Sequence, residues 1–118
     1  MPKDDRLYLG NMWDMSRRAR RLLGGKGLDA FLKDETLQFA LAHLLQVIGE
    51  AALHVSEATR KSLPDIEWEE IVGMRHRIVH GYMEVRFELV WQTVVEDLTK
   101  LERQLEPLEL GDEPPDEL

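Results

Sequence analysis

The chain has 118 residues, 43% hydrophobic and 32% charged, a composition that suits one globular domain and excludes a disordered polymer. It holds no cysteine, which excludes disulfides, thiolate metal sites and a cysteine nucleophile. Its formal net charge of −8 argues against a general nucleic-acid binder. The first ten residues, MPKDDRLYLG, place acids where a secretion signal needs an apolar core, and no apolar run approaches a membrane span. A soluble, cytoplasmic protein with no membrane contact is expected.

Periodicity predicts helices throughout. In residues 5–23, Tyr8, Met12, Met15, Ala19 and Leu22 step by four and three along a helical stripe. Asp4 and Asp5 suit the positive end of the helix dipole, and the arginines near residue 20 suit its negative end. Gly24 and Gly25 end this helix, because glycine reaches left-handed backbone angles without strain. Residues 28–33 form a connector anchored by Phe31. A second helix is expected over residues 34–60, with Leu37, Leu41, Leu44, Ile48, Ala51 and Val55 along its stripe and Leu45, Val47 and Ala52 widening it. A helix so broadly apolar is central or faces a second subunit, and a homodimer is expected.

Pro64 breaks the chain and Asp65 is placed to cap a third helix over residues 66–80. Trp68, Ile71, Arg75 and Ile78 share one stripe of it, which sets an arginine among apolar residues. A fourth helix, residues 87–105, buries Val90, Val94, Leu98, Leu101 and Leu105. Short connections between long helices predict an all-α, antiparallel four- to five-helix bundle over residues 1–106. Residues 107–118 read as an acidic disordered tail.

Charge is unevenly spread. Residues 95–118 carry nine acids and two bases, which leaves the rest nearly neutral with 14 acids and 13 bases. Arg17, Arg18, Arg20, Arg21 and Lys26 form a basic cluster that reads either as a solvated helix face or as a phosphate contact. Trp13, Trp68 and Trp91 read as core or interface anchors rather than base-stacking platforms.

Residues 74–82, MRHRIVHGY, gather two arginines, two histidines and a tyrosine at the end of a helix. Arginine brings a fixed charge whose planar fork fits phosphate oxygens, and histidine exchanges a proton near neutral pH. These parts suit metal-independent RNA cleavage by the ribose 2′-hydroxyl, with no cofactor. Residues five apart on an ideal helix point about 140° apart, so Arg75 and His80 converge only if the helix loosens near Gly81 or a partner chain completes the site. Arg75 and Tyr82, seven apart, share a face of a continuous helix. The alternative is structural: Arg75 as a buried arginine paired with Glu50, and His80 as a C-terminal cap. Glu50 sits in an apolar segment where an unpaired carboxylate is costly, and is expected to pair with and orient Arg75. His76 and His80, four apart, have metal-ligand spacing, but Glu84 is the nearest third ligand and no H-E-x-x-H pattern exists.

This stretch resembles the R-x-x-x-x-H-x-Y signature of the HepT-like toxins of the HEPN superfamily, with Arg75, His80 and Tyr82 at the three positions. The family often has asparagine after the arginine; here it is His76. Ile48-Gly49-Glu50-Ala51 resembles the family's I-G-E-A segment, and Trp68 through Met74 and Val90-Trp91 are also similar, so the resemblance covers about residues 5–106. It implies a HEPN-like helical homodimer whose Arg75 and His80 line an interfacial cleft and cut RNA. Glu50 and His76 would support them. It further implies a type VII toxin–antitoxin pair, in which an MntA-like nucleotidyltransferase antitoxin neutralises the toxin by moving AMP to Tyr82. The competing class is a catalytically inactive helical dimer that docks a nucleotidyltransferase, which the acidic tail and near-neutral body favour.

Overall fold

The computed structural model describes residues 1–110 and, for Tyr82, the backbone alone. The expected tail from residue 111 onward lies outside the described residues. The segments are α1 (Lys3–Leu23), α2 (Leu28–Leu32), α3 (Glu35–His54), α4 (Glu57–Ser62), α5 (Trp68–His80), a 3₁₀ turn (Tyr82–Glu84), α6 (Phe87–Gln92), a π turn (Thr93–Asp97), α7 (Leu98–Leu105) and a second 3₁₀ turn (Glu106–Leu108). No strand forms among the described residues. The π turn joins α6 and α7 into one rod, so four long layers make up the all-α bundle: α1, α3, α5 and that rod.

α3 is central, packed against both α1 and α5. Asp34 caps it by accepting from the Leu37 backbone N–H at 3.0 Å. Its buried stripe is Leu37, Leu41, Leu45, Ile48 and Ala52, close to the expected one. By length and hydropathy α3 is also the one helix among the described residues apolar enough to cross a membrane, yet here its apolar stripe builds the core. Val90, Val94, Leu98, Leu101 and Leu105 of the rod are buried as the spacing predicts. Phe31 of α2 is fully buried and plugs the end of the bundle beside α3 and α6. Gly24 ends α1 with φ +60°.

Three expectations are corrected. The buried stripe of α1 is Asp5, Leu9, Met12, Ser16, Ala19 and Leu23, while Leu22 is 52% exposed. Two polar residues on the true stripe disguise it. Ser16 meets the apolar interior by donating its hydroxyl to the Met12 carbonyl at 2.7 Å. Asp5 does so by reaching another segment altogether.

That segment is where the predicted helix over residues 34–60 breaks. α3 ends at His54, and Ser56 starts α4 by accepting from the Thr59 N–H at 3.3 Å. Asp5 accepts from the Ser56 N–H at 2.9 Å and from the Ser56 and Thr59 hydroxyls at 2.5 Å each. Arg60 closes the other side of the break. It donates to the carbonyls of Leu53 and Val55 at 3.2 Å each and to that of Ala52 at 2.7 Å, which also accepts the Val55 N–H at 3.3 Å, and so closes the end of α3. Since α1 begins where α3 ends, the two helices run antiparallel.

The third correction is at α5, which begins at Trp68 behind Glu67 with no side-chain cap, so Asp65 does not serve as one. Trp68 is 8% exposed and its indole donates to the Leu63 carbonyl at 3.1 Å. Packing also continues past residue 106: Leu110 is buried, and Arg6 donates to the carbonyls of Leu108 and Glu109 at 3.2 Å each.

The hydroxyls of Ser56 and Thr59 hold the Asp5 carboxyl below its usual range, against the opposing effect of burial. A depressed folded-state pKa adds stability above the unfolded value, and that stability is lost as pH falls through the folded value. Asp5→Asn is therefore expected to cost about 1.5–3 kcal/mol near neutral pH, the range for hydrogen bonds to a charged group. Urea denaturation over a pH series checks this: the gap between wild type and variant should be constant above about pH 5 and narrow below about pH 4.

Candidate active site

Arg75 stands on α5 where that helix crosses α3 most closely. The contact point on α3 is Gly49. A Cβ built there would lie 2.3 Å from the Arg75 Cβ and 3.1 Å from the Ile71 carbonyl oxygen. Only a residue without a side chain lets the helices meet at this distance. The next residue, Glu50, then reaches Arg75: its Oε2 lies 2.6 Å from Nε. Nε is buried and its N–H is not aligned for a directed hydrogen bond, so the contact is one of charge with charge. The pairing expected of Glu50 is what forms.

Glu50 also holds His54, with Nε2 3.3 Å from Oε1, and the His54 ring stacks on Tyr8 of α1 with centroids 5.0 Å apart. The His54 hydrogen bond, followed by the Arg75 charge, keeps the Glu50 carboxyl below its usual range despite partial desolvation. Three helices thus contribute to one polar chain, Tyr8–His54–Glu50–Arg75. Glu50 and His54 are an i, i+4 pair within α3, whereas the Tyr8 stacking crosses between helices and has no sequence signal.

His80 takes the other side of α5. The helix stays regular through His80, so it does not turn toward Arg75. His80 and His76 are both exposed and their rings approach to 4.5 Å between centroids, tilted by 47°. Gly81 then ends the helix: its N–H donates to the Arg77 carbonyl at 2.8 Å, and a Cβ there would lie 2.9 Å from that same oxygen. Tyr82 follows in the 3₁₀ turn, so its backbone lies outside the helix that carries Arg75. A cavity of about 210 Å³ opens beside this turn, between α5 and α6, with Arg77 and Arg86 in its wall. Arg86 pairs with Glu88 at 3.1 Å.

Among the described residues, no group of three or more histidine, aspartate or glutamate side chains gathers as a metal site. Four of the five cations in the basic cluster meet a partner at the surface. Arg18 pairs with Asp14 at 3.0 Å, Lys26 with Asp34 at 3.3 Å and Arg20 with Glu102, and Arg17 lies 4.4 Å over the Trp13 ring. The solvated-face reading of that cluster fits these contacts.

Gly49 carries the geometry of Arg75, so Gly49→Ala separates two effects. Helix propensity alone favours alanine by about 1 kcal/mol, whereas forcing a methyl into a filled contact costs about 1–3 kcal/mol. The steric effect should win, because the clashing atom is a Cβ fixed to backbone. Urea denaturation should show a net loss of up to about 2 kcal/mol, and a gain in stability would mean that the helices separate freely.

Comparison with known proteins matches the chain to one family. The profile described as "Ribonuclease HepT-like" matches residues 12–108, which include the whole of α3 and α5. The chain is 28% identical over 106 residues to "Putative RNase TTE0752" of Caldanaerobacter subterraneus subsp. tengcongensis, covering 90% of this chain and 95% of that one. It is 36% identical over 78 residues to "Probable ribonuclease HepT" of Thermococcus cleftensis, covering 66% and 71%. It is 28% identical over 118 residues to "Putative RNase MJ0127" of Methanocaldococcus jannaschii, covering 96% and 98%. No solved structure matches the chain. With its profile matched over most of its length and its signature segment on α5, the chain belongs to the HepT-like ribonuclease family.

Proposed function

We propose that this protein is a metal-independent endoribonuclease toxin that acts as a homodimer, with Arg75 and His80 as its catalytic residues. The observation that supports this most is the divided presentation of α5. Arg75 is half-buried and pinned by Glu50, while His80 stands exposed beside the His76 ring. A pinned cation suits a phosphate, and an accessible imidazole suits proton transfer.

In this reaction the ribose 2′-hydroxyl attacks the adjacent phosphorus and the bond to the 5′-oxygen breaks. His80 handles a proton of the attacking or leaving oxygen, and Arg75 meets the charge that grows on the phosphoryl oxygens. Glu50 orients Arg75, and His76 supports His80. One chain offers one signature histidine and directs it away from Arg75, so two chains facing each other supply both proton transfers. The outward side of α3 suits that meeting: Leu53, one turn beyond Glu50, is 41% exposed, and Phe39, whose ring meets that of Phe87 edge-on, is 42% exposed. Fourteen residues apart, they lie about 40° from each other around the helix.

The regulatory half of the reading follows from the family. An MntA-like nucleotidyltransferase antitoxin would transfer AMP to the Tyr82 hydroxyl, in a type VII toxin–antitoxin pair. The added phosphate brings negative charge two residues from His80, where it competes with RNA for Arg75 and repels the incoming backbone. A catalytically inactive helical dimer is the outcome that the first experiment below would reveal.

Purified protein should cleave RNA in excess chelator and leave 2′,3′-cyclic phosphate ends, and His80→Ala should lower the rate by about 100-fold or more, the range for a lost general acid or base. Activity that disappears in chelator and returns with a divalent ion would refute the mechanism. No cleavage by the wild type under any condition would favour the inactive dimer.

Tyr82→Phe keeps the ring and removes the acceptor oxygen. After incubation with the antitoxin and ATP, intact mass should show AMP on the wild type and none on Tyr82→Phe, which should keep its cleavage activity. Equal AMP mass on both proteins would put the acceptor elsewhere.

A further inference from the structure

Behind the α3–α5 contact, the rod of α6 and α7 leaves a groove of about 110 Å³. Its floor is apolar, built from Ile71 and Met74 of α5 and Leu98 and Leu101 of α7. Its rim is acidic: Glu67 and Glu70 stand on one side and Asp97 on the other. The rim's one cation, Lys100, is already paired with Glu67 at 3.2 Å. Asp97 has no basic partner of its own among the described residues.

The backbone is unusual at the same place. Asp97 ends the π turn, in which the Leu98 N–H bonds back to the Thr93 carbonyl rather than one residue nearer. Such turns interrupt the regular helix ladder and often accompany binding surfaces. Desolvation against the groove wall pushes the Asp97 carboxyl above its usual range, and Glu67, Glu96 and Glu70 push the same way while Lys100 opposes them. The rim therefore holds an excess of negative charge that the fold does not neutralise.

Size and charge restrict the occupant. Small-molecule sites usually run to about 300–1,000 Å³, so this groove takes one or two apolar side chains rather than a drug-sized ligand. RNA and anionic lipid are repelled by the rim. The acidic residues 111–118 of this chain, GDEPPDEL, are repelled as well. We infer that the groove between α5 and α7 docks a partner protein through a basic amphipathic segment, whose apolar side chain enters over Ile71 and Leu101 while flanking arginines or lysines meet Glu70 and Asp97. A buried apolar anchor within a ring of complementary charge is the usual anatomy of such contacts. The inference is independent of the catalytic reading, since none of these residues belongs to that site.

The test uses the full chain and a fluorescein-labelled helical peptide of about 14 residues, with leucines at i and i+4 and arginines beside them. Fluorescence anisotropy should show saturable binding that weakens with salt. The same peptide with serines for the leucines should bind about tenfold more weakly. Asp97→Lys and Glu70→Lys should each weaken binding of the leucine peptide by about tenfold. Glu57→Lys, an equal charge change on the exposed surface of α4, should alter it by less than about twofold. Near-ultraviolet circular dichroism of each variant, unchanged from wild type, confirms that the fold is intact. Equal binding of the serine peptide, or an equal loss in Glu57→Lys, would reduce the effect to general surface charge and overturn the proposal. A change in oligomeric mass of peptide-free Asp97→Lys would assign the groove to a second copy of the chain, and would overturn it too.

Discussion

A side chain on residue 49 would have to occupy space already filled by the Cβ of Arg75. The missing side chain lets α3 and α5 approach backbone to backbone, and much else follows from that approach. It brings Arg75 alongside Glu50 on the neighbouring turn of α3. It also fixes the rotation of α5, so that Ile78 points into the core and His80 points out. Ile48 and Ala51, on either side of the Gly49–Glu50 pair, are buried and keep α3 in register. Four consecutive residues, Ile48-Gly49-Glu50-Ala51, thus supply a core anchor, a steric opening, a counter-charge and a second core contact.

The Glu50–Arg75 pair has two opposing consequences. A half-buried guanidinium without a counter-charge would be costly, and Glu50 removes that cost while holding the side chain in one orientation. The same carboxylate also offsets the positive charge that a phosphate would seek. The pair engages Nε, at one corner of a five-donor fork, so the rest of the guanidinium carries the remaining capacity to bind oxygen. His54, and Tyr8 behind it, extend this constraint to α1. The position of Arg75 therefore depends on three helices, and a disturbance in the packing of α1 reaches it through side chains in direct contact.

Electrostatics elsewhere in the molecule are arranged for the fold rather than for long-range attraction. Of the basic residues at the end of α1 and just after it, Arg18, Arg20, Arg17 and Lys26 are met by Asp14, Glu102, the Trp13 ring and Asp34 in turn. Arg6 ties down the chain after α7, and Arg60 closes the end of α3. With a net charge of −8, the protein has no global field to draw in a polyanion. Local positive charge is concentrated instead at α5 and just beyond it, where Arg75, Arg77 and Arg86 stand near one another in sequence, and at the end of α1.

Much of this was legible in the chain because burial leaves a periodic record. The stripes of α3 and of the rod, the stop at Gly24 and the clustered residues of α5 are all local patterns of apolar spacing or turn chemistry. Even the Glu50–Arg75 pair could be anticipated, since an isolated carboxylate in an apolar run needs a partner. What the tertiary structure decided concerns polar groups whose partners are distant in sequence. Asp5 faces inward because Ser56 and Thr59, more than 50 residues away, supply three donors; by itself it reads as a dipole-compensating surface acid. The break between α3 and α4 depends on that same contact and on Arg60. The demand for glycine at residue 49 depends on the distance between two helices, which no pattern within either one encodes. Apolar burial is additive along a helix and so appears in its sequence, whereas a hydrogen bond or a steric limit between segments exists only once both are in place.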